Sequence, residues 1–549
     1  MKSLSNFRHV ISLAATTLVF TAILGAMTLR SSTNTASNTA ENDNTSDWPM
    51  YGGTLSRDLV NLAAKGIPTT WDAAKGENIK WSEDLGSKAY GGPIVAGGRI
   101  FVGTNNANPR DPSIKGDKGV LMCFDQATGK FLWQAVHDKL AAGRVNDWPD
   151  EGICSSPFVE GDRLYYVNNR AEVICADVAG QGGKEKPIWK FDMIGKLGVF
   201  PHNLAVCSPL IVGDTLFVVT ANGVDEGHIN IPRADAPSFL ALDKKNGSVL
   251  WKDNSPSQAL IEASKRGTRV RIREDLVNKG KLLMHGQWSN PVYAEPNGKP
   301  MIIFPGGDGW IRAYNPKNGD LLWKFDCNPK GTKYELGPRA TRNDFVSTPV
   351  IWQNKLYIGV GQDPEHKKGV GHLWCIDITK EPKNKDKDLT PVNNNFDPKA
   401  EVNKNSGLVW HYGGKAPEDY DRNYLFGRTM STFAVHDGLC YAADYDGYIY
   451  CLDANTGEKY WEDRLGADTW SSPYWVDGKI YIGTENGTMR IYEHGKSKKL
   501  VNTVKFKAKA EGNKIVEVEA IRATPVAVGG VLYVMTENPT KLWAISAKK

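Results

Sequence analysis

With 549 residues, 41% of them hydrophobic, the chain has enough apolar side chain for a large core. A net charge of only +5 at pH 7, with acids and bases interspersed, leaves no basic footprint and argues against nucleic-acid binding. The 55 glycines, 17 tryptophans and 20 tyrosines favour many short strands joined by tight turns.

Residues 1–30 come first. Lys2, Arg8 and His9 precede an uncharged run at 10–29, VISLAATTLVFTAILGAMTL. Positive charge ahead of such a run reads as an export signal, and its length suits either a cleaved signal peptide or a retained signal anchor. The expected location is therefore periplasmic, or membrane-anchored facing the periplasm if the segment is uncleaved. No Cys follows the run at the position a lipid anchor would use. Residues 31–47 are polar and lack aromatics, as expected of a disordered tether, and residues 48–549 form the folded domain.

Within that domain one shape recurs: CFDQATGKFLW at 123–133, ALDKKNGSVLW at 241–251, AYNPKNGDLLW at 313–323 and CLDANTGEKYW at 451–461. Physically this is a hairpin. The Asp or Asn side chain accepts backbone N–H bonds from the turn, Gly supplies its left-handed residue, and Trp is carried to a packed interface. A second hairpin lies upstream, opening near Ser/Thr-x-Pro and continuing as Leu/Ile-Tyr-Val/Ile, as in SSPYWVDGKIYIGTENGTMRIYE at 471–493. Pro93, Pro157, Pro209, Pro291, Pro349, Pro473 and Pro525, with Phe433 in the remaining unit, lead into eight such units. Outer-strand tryptophans follow at Trp133, Trp189, Trp251, Trp323, Trp410 and Trp461, with VNTVKF at 501–506 as a degenerate seventh. The eighth unit stops at KLWAIS, 541–546, and its missing strand is available in ENIKWSEDLG, 77–86, with Trp81 in place. The predicted fold is all-β: a monomeric eight-bladed β-propeller closed by an N-terminal strand, with four antiparallel strands per blade.

Cys123, Cys175, Cys375 and Cys451 occupy a slot that Ala241, Ala313 and Ala544 fill in other repeats, which marks them as small buried residues rather than disulfide partners. Cys154 and Cys207, at corresponding places in successive repeats, are the remaining disulfide candidate.

These motifs resemble the pyrroloquinoline quinone (PQQ)-like β-propeller repeat of quinoprotein dehydrogenases and of the outer-membrane assembly lipoprotein BamB, over about residues 48–546. DWPMYGGTLSRD, AGRVNDWPDEGICSSP and FPHNLAVCSP are similar to BamB-like exported propellers of planctomycete type. The resemblance implies the fold and two divergent activities. One is protein binding in outer-membrane assembly. The other is oxidation of alcohols or sugars with PQQ and Ca²⁺, where Glu, Asn and Asp hold the ion, an Asp is the base, Trp stacks on the quinone and adjacent cysteines cover it. This chain has no adjacent Cys pair, and no Ser-elbow or paired-carboxylate hydrolase signature stands out.

In such a ring the loops leading into the innermost strands and the mid-blade hairpins converge on the axis. Their polar residues are the candidate ligand site: Arg144, Asp147 and Glu151; His202 and Asn203; His285, Gln287 and Trp288; Arg342; Arg428; Trp470; Arg522; and, from mid-blade loops, Asn105, Asp225, Asp308 and Asp363. Such a mouth suits a polar, partly anionic or flat ligand. Insertions at 104–118 and 221–237 are expected to deepen it as ordered lids, 380–405 to be a solvated excursion at the rim, and 256–283 to hold a short helix at SQALIEASKRG. Asp363, Glu365, His366 and His372, like Asp225, Glu226 and His228, match no familiar ligand spacing, so no metal is assigned. His202 and His285 lie in neighbouring units, where they could converge. The reading is an exported binding or scaffold module of the cell envelope, taking a small polar ligand or an envelope protein and having no catalytic residue; the alternative is a PQQ- and Ca-dependent quinoprotein dehydrogenase.

Overall fold

The computed structural model describes residues 47–264, 270, 271, 284–329, 332, 342–391, 402–509 and 514–547. The expected signal segment, and all of the tether but its last residue, lie outside these residues. Among the described residues no helix is long and apolar enough to cross a membrane.

Eight four-stranded antiparallel units follow one another. Blades 1 to 7 span residues 94–138, 158–192, 210–253, 292–326, 350–413, 434–464 and 474–505, and blade 8 joins 526–545 to 79–84. Blades 1 and 2 share one sheet through a single parallel pair, Gln134 with Lys184. The ring closes as the repeat predicts. Ile79–Asp84 pairs antiparallel with Lys541–Ile545, and Trp81 stands opposite Ala544.

One register rule holds around the ring. The small residue of the third strand pairs with the tryptophan of the fourth, as in Cys123 with Trp133, Cys175 with Trp189, Ala241 with Trp251, Ala313 with Trp323, Cys375 with Trp410 and Cys451 with Trp461. Each indole then crosses to the next blade. The N–H groups of Trp133, Trp189, Trp251, Trp410 and Trp461 donate to the carbonyls of Val178, Lys244, Pro316, Ala454 and Gly495. The repeated Gly is needed twice over. At Gly457 φ is +74°, and a Cβ there would come within 2.7 Å of the Trp410 ring; Gly129, Gly247 and Gly319 meet Trp81, Trp189 and Trp251 in the same way. Burying such an indole contributes up to about 4–6 kcal/mol, so the blades hold together without cross-links. All eight cysteines are free, which removes the Cys154–Cys207 disulfide candidate; Cys207 Sγ instead accepts the Val219 N–H at 3.2 Å. Blade 7 lacks its tryptophan. Asn502 occupies the position, donates to Thr69 O at 2.7 Å, and buried Trp71 packs on Phe506 with ring centroids 5.4 Å apart.

Two devices surround the axis. The first is a belt formed by the residue just before each leading proline. Ser156 N donates to Ser208 Oγ, Ser208 N to Asn290 Oδ1, Asn290 Nδ2 to Thr348 Oγ1, Thr348 N to Thr432 Oγ1, Thr432 N to Ser472 Oγ and Ser472 N to Thr524 Oγ1, over 2.6–3.2 Å. The second is the segment 48–61, which runs around the innermost strands. Val159, Tyr293, Ile351, Val435 and Trp475 donate their N–H groups to the carbonyls of Pro49, Leu55, Ser56, Asp58 and Leu59. Fully buried Arg57 donates to Ser208 O and Pro209 O at 2.9 and 3.0 Å. Tyr51 reaches the belt at Thr432, Oη to Oγ1, at 2.8 Å. The sequence DWPMYGGTLSRD is therefore the floor of the axial well.

The insertions divide. Residues 104–118 turn outward instead of covering the mouth: Arg110 lies over Phe124 and Phe131 and pairs with Glu83 at 2.8 Å. Apolar and cation–π contact with the outer strands outweighs solvation of this loop. Residues 221–237 do reach the mouth, carrying Glu226 to Arg144 and His228 to His202. The excursion after Ile378 is not wholly solvated. Lys324 N donates to Lys387 O and Leu389 N to Lys324 O, and Leu389 is buried in the apolar cluster that holds Trp323. The helix is present at Ser255–Ser264.

Candidate functional site

The belt and the floor bound an axial cavity of about 310 Å³. Its wall has a simple origin. The residue three positions before each leading proline faces it in every blade: Tyr90, Cys154, Val206, Trp288, Val346, Met430, Trp470 and Arg522. Trp148, Glu151, Asn203, Asp363 and Glu365 join them, and Tyr51 lines it from the floor. The wall is thus mostly apolar and aromatic, with three carboxylates, Glu151, Asp363 and Glu365, among its lining.

Of the predicted site residues, Glu151, Asn203, Trp288, Asp363, Trp470 and Arg522 reach the wall. Others serve the fold. Buried Asp308 holds Arg312 through two bonds of 2.6 and 3.0 Å, Asp147 pairs with Lys139, Asn105 accepts from Ser87 N at 2.8 Å, and Gln287 donates to Asn222 O at 2.7 Å. Asp225 caps its own turn by accepting from Ile229 N at 2.9 Å. Among the arginines, Arg144 lies over Trp148 and pairs with Glu226, Arg342 pairs with Asp344 at 2.6 Å, and Arg428 donates to the carbonyls of His366 and Lys367. Arg522 is held by Glu485 at 2.8 Å, Glu537 at 2.9 Å and Tyr90 Oη at 3.1 Å. These guanidiniums are engaged by carboxylates or carbonyls, although Arg342 Nε and Arg428 Nε, outside the wall, are buried without partners. Within the wall, what stands unmatched is acceptor. Glu151 Oε2 is buried without a hydrogen-bond partner, and burial raises its carboxyl above the ordinary range against the pull of the Tyr90 hydroxyl. Burial, reinforced by Asp363, likewise raises Glu365.

Beside Trp288 the loops of blades 3 and 4 bring His202, His228 and His285 together, with ring centroids 4.6–5.0 Å apart. Asp344 and Asp363 flank His285, each carboxylate 3.8 Å from one of its ring nitrogens. Burial holds His285 well below the usual imidazole range and His202 down to about 4, and also lowers His228. Burial pushes Asp344 up to about 7 against the attraction of Arg342. It would raise Asp363 too, but the His366 hydrogen bond at 2.9 Å and the facing imidazoles together outweigh it and keep this carboxyl low.

Collecting only polar residues misses Tyr51, Tyr90, Val206, Val346 and Met430. The signal for all but Tyr51 was present. Aligned on the leading prolines, Tyr90, Trp288 and Trp470 share one position, and a ring of eight equivalent residues must face the axis together.

A family model described as "Outer membrane protein assembly factor BamB" matches residues 54–142, 117–389 and 400–549. A quinohemoprotein alcohol dehydrogenase, ADH-IIG, of Pseudomonas putida is 23% identical over 79% of this chain and 57% of its own length. A lupanine 17-hydroxylase [cytochrome c] of a Pseudomonas species is 22% identical over 72% of this chain and 52% of its own. The chain thus spans about half the length of these curated relatives. Among solved structures, a quinohemoprotein alcohol dehydrogenase from Comamonas testosteroni superposes with a TM-score of 0.57 at 12% identity, over 93% of this chain and 82% of that one, a likeness of fold alone.

Proposed function

The chain belongs to the BamB-type family of PQQ-repeat propellers, and from that premise we propose that it is a binding module of the cell envelope whose axial well takes a small ligand with a flat, apolar body and a cationic or hydroxyl donor. The observation that carries this reading is the wall itself. Six of eight equivalent positions place aromatic or aliphatic groups around a floored well, while the acceptor Glu151 Oε2 is left buried and unpartnered. A buried acceptor without a donor costs about 1–3 kcal/mol, and a ligand donor would recover it.

The relatives raise PQQ with Ca²⁺ as the occupant. The flat body suits Tyr90, Trp288 and Trp470, and Asn203, Asp363 and Glu365 are oxygen donors of the kind Ca²⁺ takes. A free cation for the three carboxylates of PQQ is missing, because the guanidinium in the wall is already held by Glu485 and Glu537. Cys154 is the only thiol in the wall, so the adjacent cysteine pair is also missing.

Native mass spectrometry of the full chain taken from its own envelope tests the proposal. The expected result is a bound small molecule that is lost in Glu151→Gln and Trp470→Ala variants. A chain without ligand that instead carries an envelope protein, unaffected by those variants, would replace the well with a blade-edge docking role. Heat released on titration with PQQ and Ca²⁺ would overturn the charge argument.

A further inference from the structure

The histidine cluster behind Trp288 is not explained by ligand binding in the well. His202 Nδ1 lies 3.0 Å from Val224 O, and a carbonyl can only accept, so Nδ1 carries the proton and Nε2 keeps its lone pair. That Nε2 is buried with no hydrogen-bond partner, and so are both ring nitrogens of His285, a residue 1% exposed. Unpartnered buried polar atoms are rare in native proteins, and three in two touching rings call for a shared partner. Ligand atoms of His202, His228 and His285 all lie within 4.8 Å of one another, as do those of His285, Asp344 and Asp363. Tetrahedral ligands about 2.1 Å from an ion stand about 3.4 Å apart, so small side-chain rotations close the first set.

We propose that His202, His228 and His285 hold a divalent transition-metal ion of the zinc class, with the carboxylate that faces the ring nitrogen of His285 left free by the ion, Asp344 at Nδ1 or Asp363 at Nε2, orienting that ring. Three imidazoles select a borderline ion such as Zn²⁺ over Ca²⁺ or Mg²⁺, which prefer oxygen. Carbonyl and carboxylate partners on the far nitrogens are the usual support for such ligands: Val224 O already serves His202, and the carboxylates stand 3.8 Å from His285. Burial keeps the rings neutral near pH 7, the form that binds metal. Trp288 stacks on His202 at 5.6 Å and also lines the well, as does Asp363, so the ion would sit in the wall of the ligand cavity.

The full chain, stripped with chelator, is titrated with Zn²⁺ by calorimetry and with Co²⁺ by visible absorption. The expected result is one ion per chain, intense tetrahedral Co²⁺ bands, and affinity weakened at least about tenfold in both His228→Gln and His285→Gln. His228 is half-buried on an insertion, so His228→Gln decides the matter even if the His285 variant does not fold. Folded wild-type protein that takes up no Zn²⁺, or a folded His228→Gln that binds it as wild type does, overturns the proposal. Because the readout is the ion itself, failure here leaves the ligand reading of the well standing, and the reverse also holds.

Discussion

Two groups of clustered histidines are built in opposite ways. In blade 5, His372 and His411 satisfy each other: the Nδ1 of one and the Nε2 of the other lie 2.9 Å apart and share a proton, and Trp374 packs on His411 at 4.2 Å. Beside the well, His202 and His285 touch, yet leave three ring nitrogens without partners. The first arrangement is complete as folded. The second is complete only with something added, and that difference separates a structural histidine from a candidate ligand.

The largest expected effect breaks the frame around the second group. Arg342→Met leaves Asp344, 2% exposed, buried without its cation and should cost about 3–5 kcal/mol in urea melts. A cost below about 1 kcal/mol would mean that Asp344 folds protonated and the ion pair orients nothing. Next comes acid sensitivity of the first group. Burial, then His411, lowers His372 to about 3. Below pH 6.5 the unfolded chain gains a proton at this residue that the folded chain refuses, so stability falls as pH drops from about 6.5 toward 3. His372→Gln should flatten that slope by up to about 1.4 kcal/mol per pH unit, read from melts across the range. An unchanged slope would place the titrating group elsewhere. His411→Ala strands His372 Nδ1 and should cost about 1 kcal/mol at neutral pH, whereas a neutral outcome would show water replacing the bond. The smallest effect is the sharpest contrast. In chelator, His285→Leu removes an imidazole that has no hydrogen-bond partner and should change stability by less than about 1 kcal/mol. A loss of about 3 kcal/mol or more would erase the distinction between the two groups.

Much of this architecture is legible along the chain. Trp81 opposite Ala544 follows from one missing strand at the C-terminal end, because a repeat that pairs small residue with tryptophan states its own register. The seven leading prolines and Phe433 also mark the axial wall, although choosing residues by polarity alone passed over Tyr90 and Met430. The outward turn of 104–118 was not legible, since nothing in the loop says that Arg110 will find Phe124 and Phe131 rather than solvent. Nor was the floor. Residues 48–61 bond the innermost strands through backbone carbonyls, which carry no sequence signature.

What the residues determine by themselves is what repeats locally: the Asp-capped turn, the glycine under an indole and the four-strand unit, each set by contacts a few residues apart or by one rule applied again. Tertiary structure alone decided which polar groups are partnered. Arg522 finds its counter-ions Glu485 and Glu537 in other loops, and His202, His228 and His285 meet across two blades with no spacing to announce it. Partnering depends on where the ring places loops far apart in sequence, and closure of the ring is itself a property of the whole chain.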